Sequence, residues 1–335
     1  MTKPSLIEQL DQAIEAMLAK PEVSLPEMDE RAGPLLEVAA ELRDLPRFEF
    51  KKQLKAELQR RSTMTLSELD REQQKQTRVS PIPEGYHTIT PYLIVQDAPA
   101  LIEFLKRTFA GEMRFQTIGS AGGIHAEVRV GDSMLMIGGG GPGLSWRGQA
   151  LPTSLHVYVE DADAVYGQAL NAGATSIEEP TDQPYGDRES GVKDPWGNLW
   201  WIATHKEGRY IPQGLHAVTP FLHPLKADPF ISFLKRAFGA EEISRHASPE
   251  GAVHHAVVRI GDSALEMGEA HGAYQPMPTM FYLYVPDVDT WYRRAIEAGA
   301  TPLHEPADQP YGDRSGGVSD AFGNQWYIAT HFKDV

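Results

Sequence analysis

The chain of 335 residues contains no cysteine. That excludes disulfides, thiolate nucleophiles and cysteine-ligated zinc or iron-sulfur centres, so any metal must be held by histidine, carboxylate or other oxygen. No window approaches the roughly 20 apolar residues of a membrane span. The opening stretch MTKPSLIEQLDQAIEAML lacks both a basic start and an uninterrupted apolar run, so no secretory signal is expected and the default location is cytoplasmic. Basic charge is in short supply: 31 Lys and Arg stand against 46 Asp and Glu, a formal net charge of -15. Such a field repels phosphate backbones and anionic lipid, so neither nucleic acid nor membrane is an expected partner. No G-x-S-x-G is present, and GGGGPG at 138–143 lacks the Lys-Ser/Thr of a phosphate loop. A flexible loop near the binding face, in the manner of a lid, is the reading that run supports.

What is present divides into an annex and a repeat. Residues 1–80 read as a helical N-terminal segment and linker: Leu6, Leu10, Ile14 and Leu18 recur at every fourth position, and Pro21 stops the run. A later stretch sets Phe50, Leu54 and Leu58 on one stripe, surrounded by Arg47, Lys51, Lys52, Lys55, Arg60 and Arg61. That basic helix reads as a solvated face whose apolar stripe docks on the acidic remainder; the alternative is an arm that recruits a partner. Residues 1–80 hold 15 acids and 13 bases while the rest holds 31 and 18, so the negative charge belongs to the rest.

Beyond residue 80 the chain repeats itself. EPTDQPYGDRESGVKDPWGNLWWIATH at 179–205 matches EPADQPYGDRSGGVSDAFGNQWYIATH at 305–331 in 19 of 27 positions. Upstream, HTITPYLI pairs with HAVTPFLH, FLKRTFAGE with FLKRAFGAE, and HAEVRVGDS with HAVVRIGDS. The copies span 84–206 and 213–332. Within each, alternating strand patterns and amphipathic helix patterns run strand-helix-strand-strand-strand twice, giving four such units.

Two units per copy, the phrase TPYLIVQDAPALIEFLKRTFAGE, a Gly-Asp turn between strands and the closing DPWGNLWWIAT resemble the vicinal oxygen chelate superfamily, that of glyoxalase and the bleomycin-resistance proteins, and within it the PhnB-like group. The resemblance implies an α+β fold of tandem glyoxalase-like domains, each of two βαβββ units forming a cupped mixed sheet. Two copies in one chain imply an internal pseudo-dimer, with exchange of strands between copies allowed; the further oligomeric state is open. Metal-dependent members place His or Glu early in the first strand and in the last strand of each unit. Carried over, those places hold Thr90, Met136, Ser154 and Trp201 in copy one, and Thr219, Glu266, Met280 and Tyr327 in copy two. Only Glu266 could ligate, so no cofactor and no metal of the family type is expected.

Strand alternation selects the groups facing the cup. These are Thr90, Tyr92, His125, Glu127, Arg129, His156 and Trp201 in copy one, and Thr219, His223, His255, Arg259, Glu266, Tyr282 and Tyr327 in copy two, with Ser154, Tyr158, His205, Phe221, Tyr284 and His331 on the same faces. Taken singly, each reads first as an edge residue in water or a core histidine hydrogen-bonded to backbone. An atypical divalent metal site is open, on His125, Glu127 and His156, or on His223, His255 and Glu266. The twice-occurring DQPYGDR reads first as a fixed turn, and second as a site in which Tyr185, Arg188, Tyr311 and Arg314 reach an anionic ligand at the rim. The expected partner is a small organic ligand. Three functions stay open: ligand binding without the family metal, catalysis by His and Tyr acid-base chemistry or an atypical metal, and partner binding through the basic N-terminal helix.

Overall fold

A computed structural model describes residues 79–119, 122–272 and 274–334. The helical patterns read over 1–78 lie outside these residues. The described part contains four helices and sixteen strands in the order βαβββ, four times over. Helices α1 (Ala98–Phe109), α2 (Ala162–Asn171), α3 (Ala227–Phe238) and α4 (Val288–Glu297) each follow the first strand of a unit. Asp97, Asp161 and Asp287 cap α1, α2 and α4, each accepting the backbone N–H three residues on. The chain leaves α3 through left-handed Gly239, whereas α1 ends on Ala110 at φ 52°, the one non-glycine residue described with positive φ. Apolar side chains at α-helical spacing bury Leu101, Ile102 and Leu105 from α1 and Phe230, Ile231 and Leu234 from α3.

The strands form two mixed eight-stranded sheets, each drawn from both copies. The first runs, in spatial order, β14 (Thr301–Asp308), β15 (Asp313–Ser319), β16 (Gln325–His331), β13 (Met280–Tyr284), β1 (Ile89–Val95), β4 (Ser133–Gly139), β3 (Ile124–Val130) and β2 (Glu112–Ile118), and the second β10 (Glu241–Ala247), β11 (Val253–Ile260), β12 (Ser263–Met267), β9 (Val218–Leu222), β5 (Ser154–Tyr158), β8 (Leu199–His205), β7 (Asp187–Lys193) and β6 (Thr175–Asp182). At their centres β1 (Ile89–Val95) pairs antiparallel with β13 (Met280–Tyr284), and β5 (Ser154–Tyr158) with β9 (Val218–Leu222). The first unit of one copy thus completes its sheet with the second unit of the other. The helix-side cores follow the repeats instead: one joins Leu93, Leu105, Val128, Leu155 and Trp200, the other Phe230, Val258, Phe281, Trp326 and Ile328. Cores belong to the copies, and cups to the chain as a whole.

Two repeated motifs explain themselves as fasteners. In DPWGN, Asp194 accepts the N–H groups of Trp196 and Asn198, the Asn198 amide and the Trp200 indole; Asn198 in turn accepts Thr153 N–H. Asp320, Asn324 and Trp326 repeat that knot in copy two. At the seam, the His of each H-x-x-T-P and the Asp of each Gly-Asp-Ser turn interlock. His87 and His216 stack with centroids 3.5 Å apart. His87 Nδ1 meets Asp262 at 3.0 Å and His216 Nδ1 meets Asp132 at 3.1 Å, while each Nε2 faces the backbone carbonyl of the other aspartate. His216 therefore has an acceptor at both ring nitrogens, which only the imidazolium satisfies. Its pKa is raised by the bond to Asp132, against burial. No helix among the described residues is long and apolar enough to cross a membrane.

Candidate functional site

Because the helices cover one face of each sheet, period-2 alternation sends the other side chains of the inner strands into a cup, while the outer strands β2, β6, β10 and β14 are largely exposed. In β3 (Ile124–Val130), Ala126, Val128 and Val130 are buried on the helix side and His125, Glu127 and Arg129 take the other. The same parity holds in β5, where Leu155 and Val157 join the core while Ser154, His156 and Tyr158 face inward.

The first cup is filled by tyrosines. Tyr282, Tyr284, Met136 and Ala329 form a buried cluster, with Ile82, Tyr86, Tyr92 and Tyr327 packed against it. Tyr282 and Tyr284 both donate to Asp313 Oδ2, at 2.8 and 3.2 Å, and His331 Nδ1 lies 2.7 Å from Asp313 Oδ1. Tyr92 OH lies 2.7 Å from His125 Nδ1, and the far side of that ring approaches Glu127 at 3.5 Å. Burial pushes Tyr86, Tyr92 and Tyr284 well above the usual phenol range, so these hydroxyls stay protonated.

The second cup is built from β5, β7 (Asp187–Lys193), β8 (Leu199–His205), β9, β11 (Val253–Ile260) and β12 (Ser263–Met267). At its floor His156, only 7% exposed, sets Nδ1 at 2.9 Å from Glu266 Oε2. Its Nε2 faces Glu189 Oε2 at 3.4 Å, and His255 Nε2 approaches the other Glu266 oxygen at 3.4 Å from a half-exposed position. Tyr185 donates to Glu189 at 3.1 Å, and Tyr158 to Asp187 Oδ2 at 3.2 Å, whose Oδ1 meets His205 Nδ1 at 2.5 Å. Burial opposes charge on both His156 and Glu266, yet each holds the other ionised: His156 is raised and Glu266 lowered. Burial also raises Glu189, and the neighbouring carboxylates Glu266 and Asp187 push the same way.

An aromatic wall adjoins this cluster. Trp201 lies 6.4 Å from Phe221 and 5.8 Å from Tyr274, and His223 lies 4.9 and 5.4 Å from the same two rings. Trp201 donates to Ser154 Oγ at 3.1 Å. Its ring lies over Gly191, where a Cβ would sit 2.6 Å from the indole, so any side chain there would displace it. Burial lowers His223 to about 4, against a weak approach to the Gly268 backbone, leaving a neutral ring, and neither of its nitrogens reaches a partner at full hydrogen-bond geometry among the described residues.

The remaining expected residues lie apart from this cluster. Arg129 and Arg259 pair across strands with Glu112 and Glu241. Arg188 grips Asp163 through Nε and Nη2 at 2.6 and 2.7 Å, and Arg314 grips Asp289 likewise at 2.8 and 2.9 Å, each tying a strand to the start of a helix. Tyr311 stands exposed at the hairpin tip. Thr90 and Thr219 are buried near the central strand pairings. The trio His125, Glu127 and His156 is divided: the first two stand in one sheet and His156 in the other. Of the second trio, His255 and Glu266 meet while His223 stands among aromatics. Sequence reasoning missed Asp187, Glu189 and Tyr274. The signal for the first two was the alternation around Arg188, which turns its neighbours into the cup once Arg188 faces the helix. The run at 138–140 ends β4 (Ser133–Gly139), its backbone bonded to Val95 and Ala98.

The model of the Glyoxalase/Bleomycin resistance protein/Dioxygenase superfamily matches residues 85–202 and 226–328. The chain belongs to this superfamily. An uncharacterized protein of Mycobacterium bovis is 35% identical over 130 residues, covering 36% of this chain and 86% of its own length. A Mycobacterium tuberculosis protein, also called uncharacterized, is 35% identical over 130 residues, covering 36% of this chain and 76% of that protein. Among solved structures, glyoxalase I from Zea mays is similar with a TM-score of 0.55 at 13% identity, over 72% of this chain and 92% of that one. A mutant of the same maize enzyme gives 0.56 at 12%, over the same shares. These likenesses concern the fold. The superfamily's ligand places fall as Thr90, Met136, Met280 and Tyr327 in the first cup and Ser154, Trp201, Thr219 and Glu266 in the second. One carboxylate among eight does not fit a metal centre there, and Ser154 and Trp201 are bonded to each other.

Proposed function

We propose that the second cup binds a small planar organic molecule, and that this chain is a PhnB-like member of the superfamily working without metal ligands at the family places. The reading is carried by one observation: aromatic faces of Trp201, Phe221 and Tyr274 stand beside a buried cluster of His156, Glu189 and Glu266. Small-molecule sites combine an apolar, aromatic lining with a few convergent polar groups. The ring of the ligand stacks on the wall, and its polar end meets the cluster. Lys and Arg are absent from that cluster, and its carboxylates outnumber its one imidazole, which favours hydrogen-bond donors over anions.

Quinoline and indole serve as first probes, followed by quenching of intrinsic tryptophan emission. Saturable quenching is expected, lost in Trp201→Leu and kept in Tyr327→Leu, the equivalent change in the first cup. Equal loss in both variants, or saturable quenching in neither protein nor variant across a wider panel of planar heterocycles, would remove the proposal.

A further inference from the structure

Among the described residues the first cup satisfies its buried side-chain polar groups, whereas the second leaves open both nitrogens of His223, set among aromatic rings, and Nε2 of His156, set among carboxylates. His156 donates from Nδ1 to Glu266 Oε2 at 2.9 Å, so Nε2 is the nitrogen left for a ligand, and a metal ion binding there displaces the proton it carries. Nε2 then points into the cup with no hydrogen-bond partner among the described residues, although the residue is only 7% exposed. One ligand atom each from His156, Asp187 and Glu189 lie within 4.8 Å of one another.

The 3.4 Å from Nε2 to Glu189 Oε2 is long for a charge-assisted bond, which closes to about 2.7–2.9 Å. Two donors bound at about 2.0–2.1 Å to one tetrahedral ion stand about 3.3–3.4 Å apart. Asp187 has acceptor capacity to spare: Asp313 takes two tyrosine hydroxyls and a histidine, whereas Asp187 takes one tyrosine and a histidine. Glu266 on Nδ1 is the carboxylate that metal-binding histidines commonly carry on their far nitrogen, fixing tautomer and ring angle. Three carboxylates around one buried imidazole also leave negative charge that a cation would offset.

We propose that His156 Nε2, Glu189 and Asp187 hold a divalent first-row transition-metal ion in the second cup, with Glu266 as a positioning residue. One imidazole and two carboxylates suit zinc, iron(II) or manganese(II). The site differs from the family's own: His156 lies two residues along β5 from Ser154, and Asp187 and Glu189 come from β7, which carries no family ligand place. It uses the same cup as the ligand reading but does not depend on it.

The full chain, stripped with a chelator, is titrated with Zn2+ or Co2+ alone by calorimetry, and the Co2+ complex is read by visible absorption. One ion per chain is expected. His156→Gln and Glu189→Gln should each lower the affinity by about 100-fold or more, and Glu266→Gln by about 10–100-fold. Asp187→Asn, which also removes a ligand, should lower the affinity likewise, and the circular dichroism of each variant, unchanged from the parent, guards against loss of fold. The double variant His87→Gln/His216→Gln, which alters the seam, should bind as the parent does. No stoichiometric uptake of Zn2+, Co2+ or Mn2+, uptake unchanged in both His156→Gln and Glu189→Gln, or uptake lost with the seam histidines overturns the proposal. Retained quenching by quinoline or indole in that event leaves the ligand reading standing.

Discussion

The two cups share one backbone plan and differ at corresponding places. Where the second has His156, Glu189, Glu266 and His223, the first has Tyr282, Ser315, Met136 and Ile94. Tyrosine hydroxyls close the first cup on Asp313, so nothing polar is left over at that point. The second replaces a hydroxyl by an imidazole, and the imidazole is bearable only between carboxylates. These differences therefore hang together: a buried Glu266 without His156 is an unpaired charge, and His156 without Glu266 loses its orientation.

The largest effect should come from breaking one member alone. Glu266→Met, which imports the residue of the first cup, is expected to cost about 3–5 kcal/mol in urea unfolding because His156 stays behind. The triple change His156→Tyr/Glu189→Ser/Glu266→Met should recover most of that, to within about 1–2 kcal/mol of the parent. A triple variant no more stable than the single would break the claim that the three act as a unit.

Next in size, Asp194→Ala and Asp320→Ala each strand a tryptophan indole, an asparagine amide and two backbone donors. About 3 kcal/mol is expected from each, equally in both halves. Unequal losses in matched calorimetric scans would show that the repeats are not equivalent outside their cups.

His223→Phe should raise stability by about 1 kcal/mol, since it removes two buried unpaired nitrogens from among aromatic rings, while weakening quenching by quinoline. A stability loss would mean that those nitrogens are satisfied in solution.

The seam is common to both halves and gives a smaller, pH-dependent effect. With its pKa raised above 6.5, His216 contributes stability that is complete below about pH 6.5 and disappears as pH rises through its folded value. Burial alone would raise Asp132, but the His216 ring and Ala217 N–H bring it down to about 2, so its contribution is present above about pH 4 and lost toward pH 2. Both side chains reach solvent, which screens the pair to about 0.5 kcal/mol. Urea midpoints of the parent and of His216→Gln should converge as pH rises above about 6.5; parallel curves would speak against a charged seam.

Smallest of all, Arg188→Ala and Arg314→Ala should scarcely move the urea midpoint, exposed as their partners are, and leave quinoline binding unchanged. Loss of binding in Arg188→Ala would draw the hairpin tip into the site.

Much of the fold was legible because its signals are local or duplicated. Alternation in HAEVRV and SLHVYV assigned the cup faces, and the repeat supplied each unit with an internal control. What escaped was long-range. Nothing in the spacing of His125, Glu127 and His156 indicates that one sheet takes two of them and the other the third, since that follows from which unit pairs with which. Nor did the DQPYGDR motif reveal that its arginine turns to the helix while Asp187 and Glu189 turn inward; the arginine drew attention by its charge. The corresponding Ser315 in copy two hides the same pattern.

The shared sheets also set a timetable for folding. Strand β1 has its partner β4 at once but cannot gain β13 until residue 283 faces residue 89. At about 5–20 residues per second of synthesis, that is a wait of about 10–40 s with the tyrosine side of a half-sheet uncovered. The seam histidines and aspartates, which also join the two copies, cannot hold the halves earlier. Such non-local closure predicts slow, late formation of both cups, and a chain cut between the copies should build neither cup until its two fragments meet.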